Sequence, residues 1–398
     1  MAAGRELGRV RRLVVKVGSG LITTGRVGVD QKRIDALAAD IAAARRDREV
    51  VLVTSGAIVA GMARLGLAER PRTIPEKQAA AAVGQSALMW HYEAAFKRHD
   101  VPVGQVLLTA QDISDRVRYL NARNTLRTLL ELSVLPIVNE NDTVAVEEIK
   151  VGDNDNLSAL VASLIDADLL VLLTDVDGLY TADPAVSPDA RKLDTVEAIT
   201  DDIVSLVWDR SAHVSVGGMA TKLEAAQKAT ASGIPMVIAS GREEGMLGRV
   251  LAGEAVGTYF SPRADRLAAR KRWIAFAVPP QGRLTVDAGA LRALRDEGRS
   301  LLPSGIVEVE GEFAAGDVVA VVGHADGREL GRGLVNFDAG ELRKIRGAQT
   351  RQIEERLGYR SVDEVIHRDN WVMGGLATGP PSPPNVRGTA ARPRRPSK

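Results

Sequence analysis

The segment Gly152-Asp153-Asn154-Asp155-Asn156-Leu157-Ser158-Ala159 packs two acids and two amides into four consecutive positions, just before the apolar-periodic run Leu157, Leu160, Val161, Leu164. Asp and Asn compete with helical hydrogen bonding but suit turns and N-caps, so the cluster belongs where a loop enters a helix. One such residue makes a cap; four together suggest that something polar is held there. A second cluster, Asn139-Glu140-Asn141-Asp142, follows the apolar run that begins at Leu135. Lys16 interrupts the apolar stretch Val14-Val15-Lys16-Val17-Gly18-Ser19-Gly20, and a lysine in a buried strand is costly unless its ammonium meets an anion. Lys222 ends the glycine-rich turn Val216-Gly217-Gly218-Met219-Ala220-Thr221-Lys222. Glycines, a helix N-terminus and a cation there suit a nucleotide phosphate, although a plain loop before an amphipathic helix has the same look. Ser55, in Val53-Thr54-Ser55-Gly56-Ala57-Ile58, falls at a strand-to-helix turn, where it either holds a carboxylate or caps the helix. Taken together, two lysines, several carboxylates and glycine-rich turns suit phosphoryl transfer, which needs positioning and charge neutralisation more than covalent help.

Other chemistries find no support. Gly-x-Ser-x-Gly is absent and the five histidines are scattered, which argues against a Ser-His-Asp hydrolase. Neither the Walker A nor the dinucleotide-binding spacing is met, and the Asp-Gly turn in Leu172–Tyr180 lacks the remaining calcium-loop ligands. With no cysteine, disulfides and thiolate chemistry are excluded. Fifty-two basic and 51 acidic residues nearly cancel, so bulk charge points to neither nucleic acid nor membrane. Met1–Val10 carries charge without an apolar core, and no apolar run approaches a membrane span, so a soluble, cytoplasmic protein is expected.

The elements that must position these residues alternate. Apolar runs at Leu13–Val17, Val50–Thr54, Gly104–Leu108, Leu135–Val138, Leu169–Thr174 and Met236–Ala239 read as strands, several of them apolar throughout, as in a parallel sheet buried on both faces. Between them Lys32–Arg46, Pro75–His99, Tyr119–Glu131, Leu157–Ile165 and Thr221–Ser232 read as helices. Alternation of this kind predicts an α/β fold, a three-layer αβα sandwich with a mostly parallel sheet, whose ligands gather at the carboxyl ends of the strands. The texture then changes. Short strands at Arg283–Val286, Gly305–Glu310, Val318–Val322 and Glu329–Val335 predict a small β-rich, barrel-like domain. The expected organisation is a flexible N-terminus (1–12), a catalytic domain (13–262), a linker (263–279), the β-rich domain (280–358), an extension (359–375) and a disordered basic, Pro-rich tail (376–398).

With these residues in place, the chain resembles the bacterial glutamate 5-kinases of the amino-acid-kinase family. The likeness runs from Leu13 to about Met373 and is carried by Val53–Ala57, Asn139–Asp142, Gly152–Ala159 and Leu173–Pro184 with its Gly178-Leu179-Tyr180-Thr181 core. Ser300-Leu301-Leu302-Pro303, Gly305-Ile306 and His367-Arg368-Asp369-Asn370 resemble the PUA domain and C-terminal ending of the longer members. What the resemblance implies is ATP-dependent phosphorylation of the L-glutamate side-chain carboxylate, opening proline biosynthesis, with magnesium on the ATP phosphates and no direct protein ligand to the metal. It implies glutamate binding by Ser55, Asp142 and Asn154, with Asp153 near the substrate ammonium. It likewise implies ATP contacts from Lys16, Thr174, Asp175 and the loop Val216, Gly217, Gly218, Met219, Ala220, Thr221 and Lys222. Lys16 and Lys222 would be catalytic, with Asp155 orienting both. Inhibition by proline, a homodimer or homotetramer and hand-over to glutamyl-phosphate reductase are further expectations of the resemblance. Two departures stand out: Ser215-Val216 precedes Gly217-Gly218-Met219 where the family usually has Gly-Thr, and Gly20 replaces a small hydroxyl residue. The rivals are another carboxylate kinase of this fold and an RNA-binding protein acting through the PUA-like domain. From Pro280 to Gly358, 11 basic and 13 acidic residues give −2, which lacks the charge footprint of RNA binding.

Overall fold

The computed structural model describes residues 7, 10–23, 28–145, 154–184, 186–208, 218–262, 280–359 and 362–373. Asp153, Val216 and Gly217, the linker 263–279, the tail 376–398 and most of the N-terminus lie outside the described residues. The chain divides into two compact units, one ending at Ala269 and the other beginning at Arg270.

In the first unit β1 (Arg12–Val17), β2 (Glu49–Val53), β3 (Val103–Leu108), β4 (Leu135–Glu140), β5 (Leu169–Thr174), β6 (Thr195–Val196), β7 (Met236–Ser240) and β8 (Thr258–Phe260) form one sheet. Its order is β3-β4-β2-β1-β5-β7-β8-β6, and every pairing is parallel except β7 with β8. The described helices are α1 (Ser19–Ile22), α2 (Gln31–Ala44), α3 (Ala57–Leu65), α4 (Ile74–Lys97), α5 (Ala110–Ser114), α6 (Arg116–Glu131), α7 (Asn154–Leu164), α8 (Asp201–Trp208), α9 (Met219–Ala231) and α10 (Met246–Leu251). All the expected strands and helices of this unit are present, their ends shifted by less than a helical turn. The elements absent from the sequence reading, such as β6 and β8, are mostly too short for a periodic signal to develop.

The period-two alternation of β1 decides where its lysine goes. Leu13, Val15 and Val17 pack into a core with Ile34, Ala38 and Ile41 of α2, Leu88 and Phe96 of α4 and Leu247 of α10. Val14 packs into the opposite core, with Leu157 and Val161 of α7 and Leu223 and Ala226 of α9. Lys16 shares the face of Val14, so it points toward α7 and α9 at the carboxyl end of the strand. β1 lies between β2 and β5, with Lys16 level with Val53 and Leu172, which brings three strand ends together. The chain leaves β1 on one side for β2 and later returns on the other side as β5, and the carboxyl ends at such a switch point are where open α/β sheets bind ligands.

The strand-to-helix turn after β2 depends on glycine: Gly56 has φ +108°, a region that side chains with a Cβ avoid, and it caps α3. Helix α4 starts at a capping box between Thr73 and Glu76 and crosses α3 through glycine. A Cβ at Gly84 would collide with the Ala57 carbonyl oxygen and the Gly61 backbone nitrogen. Gly84→Ala is therefore expected to lower stability by roughly 1–3 kcal/mol, as overpacked cores do. A thermal melt reads this, and an unchanged melting temperature would mean that α3 and α4 separate freely. Ala80 and Ala81 of α4 are buried within this unit, whereas Val83 and Trp90 are exposed. Among the described residues no helix is long and apolar enough to cross a membrane.

In the second unit β9 (Gly282–Val286), β10 (Ile306–Gly311), β11 (Val318–Gly323), β12 (Glu329–Leu334) and β13 (Trp371–Met373) form a sheet in the order β10-β9-β11-β12-β13. β9 and β11 run parallel and the other neighbours antiparallel. Strand β13 comes from the C-terminal extension, which also sends Val365 and Ile366 into the same core as Leu284, Val319 and Phe337.

Candidate active site

The carboxyl edge of the first sheet borders a cleft of about 320 Å³. Its wall holds Lys16, Ser55, Asp142, Asn154, Thr174, Asp175 and Lys222, each singled out from sequence and drawn from distant parts of the chain. A larger hollow of about 580 Å³ lies at the opposite, amino edge. Its charges satisfy one another, Arg12 with Glu49 at 2.6 Å and the Arg11 and Arg12 amides with Asp168 at 2.9 Å each, so it is read as structural.

The cleft floor is a buried charge triad. Asp155, in the first turn of α7, is 0% exposed, while Lys16 and Lys222 are 4% and 5% exposed. Lys16 pairs with one oxygen of Asp155. Lys222 donates to the other at 3.2 Å, and Thr221 Oγ1 donates to that same oxygen at 3.1 Å. Burial alone would raise the Asp155 carboxyl, but the charges of Lys16 and Lys222 and their hydrogen bonds outweigh it and hold the group below its ordinary value. An acid in the first turn of α7 also agrees with the helix dipole, whereas Lys222 in the first turn of α9 opposes it and gains its compensation from Asp155. Both lysines reach the wall with Asp155 behind them, so two positive charges face the cleft from fixed positions.

The two polar clusters meet along one side. The Glu140 N–H donates to Asn139 Oδ1 at 2.9 Å and to Asn154 Oδ1 at 3.3 Å, which ties the end of β4 to the start of α7. Buried Asn139 donates in turn to Gln85 of α4 at 2.7 Å. Asp142 sits in the wall, where burial pushes its carboxyl up to about 6. On the far side Thr174 Oγ1 donates to Asp175 Oδ1 at 3.0 Å, with Asp175 exposed.

Not every residue of the motifs faces the cleft. Asn156 is turned away: it donates to Glu224 at 3.1 Å and accepts from Lys228 at 2.6 Å, locking α7 to α9. In the glycine-rich turn Gly218 caps α9, Met219 packs against the core and Ala220 is exposed, so Lys222 is the side chain of that turn found in the wall among the described residues. An ideal Cβ at Gly20 meets nothing within 4 Å, so the departure from a hydroxyl residue there leaves open space. Arg70 lines the cleft and was not anticipated. It stands in the charged loop Glu69-Arg70-Pro71-Arg72, which has no periodicity or motif to mark it.

A mostly parallel sheet with two lysines held by one carboxylate at its carboxyl edge has the chemistry that suits phosphoryl transfer. Residues 11–240 match the amino acid kinase family and residues 282–357 the PUA domain, and the chain belongs to the amino acid kinase family. It is 53% identical over 372 residues to the glutamate 5-kinase of Moorella thermoacetica, covering 93% of this chain and 98% of that one. The glutamate 5-kinase of Citrifermentans bemidjiense is 51% identical over 368 residues, 92% of this chain and 98% of its own length.

Proposed function

We propose that this chain is a glutamate 5-kinase, transferring the γ-phosphoryl group of ATP to the side-chain carboxylate of L-glutamate to give L-glutamyl 5-phosphate and ADP. The observation that carries the reading is the 53% identity to a glutamate 5-kinase over 93% of the chain. The reaction is the first of proline biosynthesis and is assigned to the cytoplasm.

The acceptor carboxylate is already ionised at neutral pH, with an ordinary pKa of about 4.3, so no general base is required. A carboxylate oxygen attacks the γ-phosphorus while the bond to the β-phosphate oxygen breaks and ADP departs with that electron pair. The difficulty is to bring one anion against another. In the proposed mechanism Lys16 and Lys222 neutralise the moving phosphoryl group, and Asp155 fixes both ammonium groups so that little reorganisation is needed. Ser55, Asp142 and Asn154 hold glutamate, with Asp153 beside its ammonium. Thr174, Asp175 and residues 216–222 hold the nucleotide, Val216 through its backbone. Magnesium, carried on the ATP phosphates, supplies further charge neutralisation. Asp175, on the nucleotide side of the wall, offers carboxylate oxygen of the kind such a hard cation favours, and no direct protein ligand is assigned. Catalysis is placed in 13–262 and a structural or regulatory role in 280–358. Homo-oligomerisation, inhibition by L-proline at the glutamate region and hand-over of the labile acyl phosphate to glutamyl-phosphate reductase belong to the same proposal.

Hydroxylamine traps an acyl phosphate as a hydroxamate, which tests the reading directly. Purified protein with ATP and magnesium is expected to form hydroxamate from L-glutamate but not from aspartate or acetylglutamate, and L-proline is expected to suppress it. Hydroxamate from one of the other acids would shift the assignment to a different carboxylate kinase.

The raised carboxyl of Asp142 gives this site a pH signature. With its pKa near 6, the group is charged at pH 7.5 and protonated below the midpoint, where it no longer attracts the substrate ammonium. The KM for glutamate, read by ADP release, is expected to rise as pH falls through about 6, and Asp142→Asn to have a high KM without that transition. Retention of the transition in the variant would remove Asp142 from the role.

A further inference from the structure

With L-glutamate as the substrate, as proposed above, the cleft must receive two carboxylates and one ammonium. Lys16 and Lys222 are engaged by the reacting carboxylate and the phosphoryl group. Asp142 and Glu140 offer negative charge to the ammonium, and the Ser55 hydroxyl is a neutral donor. Among the described residues of the wall, the remaining cation is Arg70. We propose that Arg70 binds the α-carboxylate of the substrate and determines specificity for it, an assignment that depends on the glutamate reading.

The loop that carries Arg70 is fixed at both ends. It leaves α3 through Gly66, at φ +67°, with the Leu67 N–H donating to the Met62 carbonyl at 2.9 Å. It enters α4 through the capping box, where Thr73 N–H donates to Glu76 at 3.2 Å. Between them Pro71 is buried, and a residue preceding proline is confined to extended backbone, which limits the paths open to the Arg70 side chain. The neighbouring Arg72 is turned to Glu69 at 3.6 Å. A guanidinium matches a carboxylate in a bidentate fork, and a ligand that lacks the second carboxylate charge forfeits that contact.

The test compares L-glutamate with L-isoglutamine, in which a neutral carboxamide replaces the α-carboxylate and the reacting γ-carboxylate is kept. For the full chain and for Arg70→Gln and Arg70→Lys, the KM for glutamate is read by ADP release and isoglutamine by its inhibition constant. Arg70→Gln is expected to raise the KM for glutamate about 10-fold or more, the usual scale for losing a charge-assisted hydrogen bond. Its inhibition constant for isoglutamine is expected to stay near that of the parent, so the preference for glutamate shrinks by the same factor. Arg70→Lys, which keeps the charge, is expected to recover part of the preference. An undiminished preference in Arg70→Gln overturns the role of Arg70 while leaving the kinase reading intact. No glutamate-dependent hydroxamate from the parent chain would overturn the substrate reading, and this assignment with it.

Discussion

Lys222→Ala is expected to lower turnover by at least about 100-fold, the usual loss when one donor to transition-state charge is removed. Lys222 is 5% exposed and faces the cleft from the first turn of α9, where its ammonium is already placed before substrate arrives. The charge it meets grows as the phosphoryl group moves, so its deletion acts on kcat more than on nucleotide binding. Folding is a separate matter: without Lys222, Asp155 keeps Lys16 and the Thr221 hydroxyl as partners. Single-turnover and steady-state assays beside a thermal melt separate the two effects. Near-normal turnover in a folded variant would take Lys222 out of the mechanism.

Asp155→Asn is expected to be at least as damaging, and for a different reason. The carboxylate is the anion between two buried ammonium groups, and the amide removes that negative charge from between them. Removing one partner of a buried charge cluster costs about 3–5 kcal/mol, so the melting temperature falls along with turnover. The parent chain sets the pH sign. The Asp155 carboxyl is held below its ordinary value in the folded protein, so the stability it contributes is fully present above about pH 3.9 and lost as pH falls through the lower, folded value. The carboxylate thus stays ionised across the neutral range and adds no pH dependence there. Near-parent turnover, on a protein of unchanged melting temperature, would show that the carboxylate does not hold the lysines.

The fold was readable where the signal was local and repeated. Strands such as Leu169–Thr174, buried at every position, announce a parallel sheet because they are apolar up to the last residue, and α2 and α9 announce themselves by helical period. The two-residue β6 and three-residue β8 carry too few positions to show a period. Strand β13 is equally short and forms because β12 offers it an edge and the core receives Trp371.

Residue chemistry divides in the same way. A lysine in an apolar strand, an acidic and amide cluster before a helix and a glycine-rich turn before another lysine are local anomalies, and each told of an unusual environment that the sequence alone could identify. Their meeting was decided by tertiary structure. The alternation of β1, the register of β1 between β2 and β5, and the packing of α7 on α9 together put Lys16, Asp155 and Lys222 on one spot. The same packing turned Asn156 away to Glu224 and Lys228, although nothing in its own segment distinguishes it from Asn154. Arg70 lay beyond sequence reasoning because an arginine in a charged loop costs nothing to solvate and leaves no anomaly to notice. Local physics determined which residues had to be compensated; only the long-range packing determined which groups compensate them.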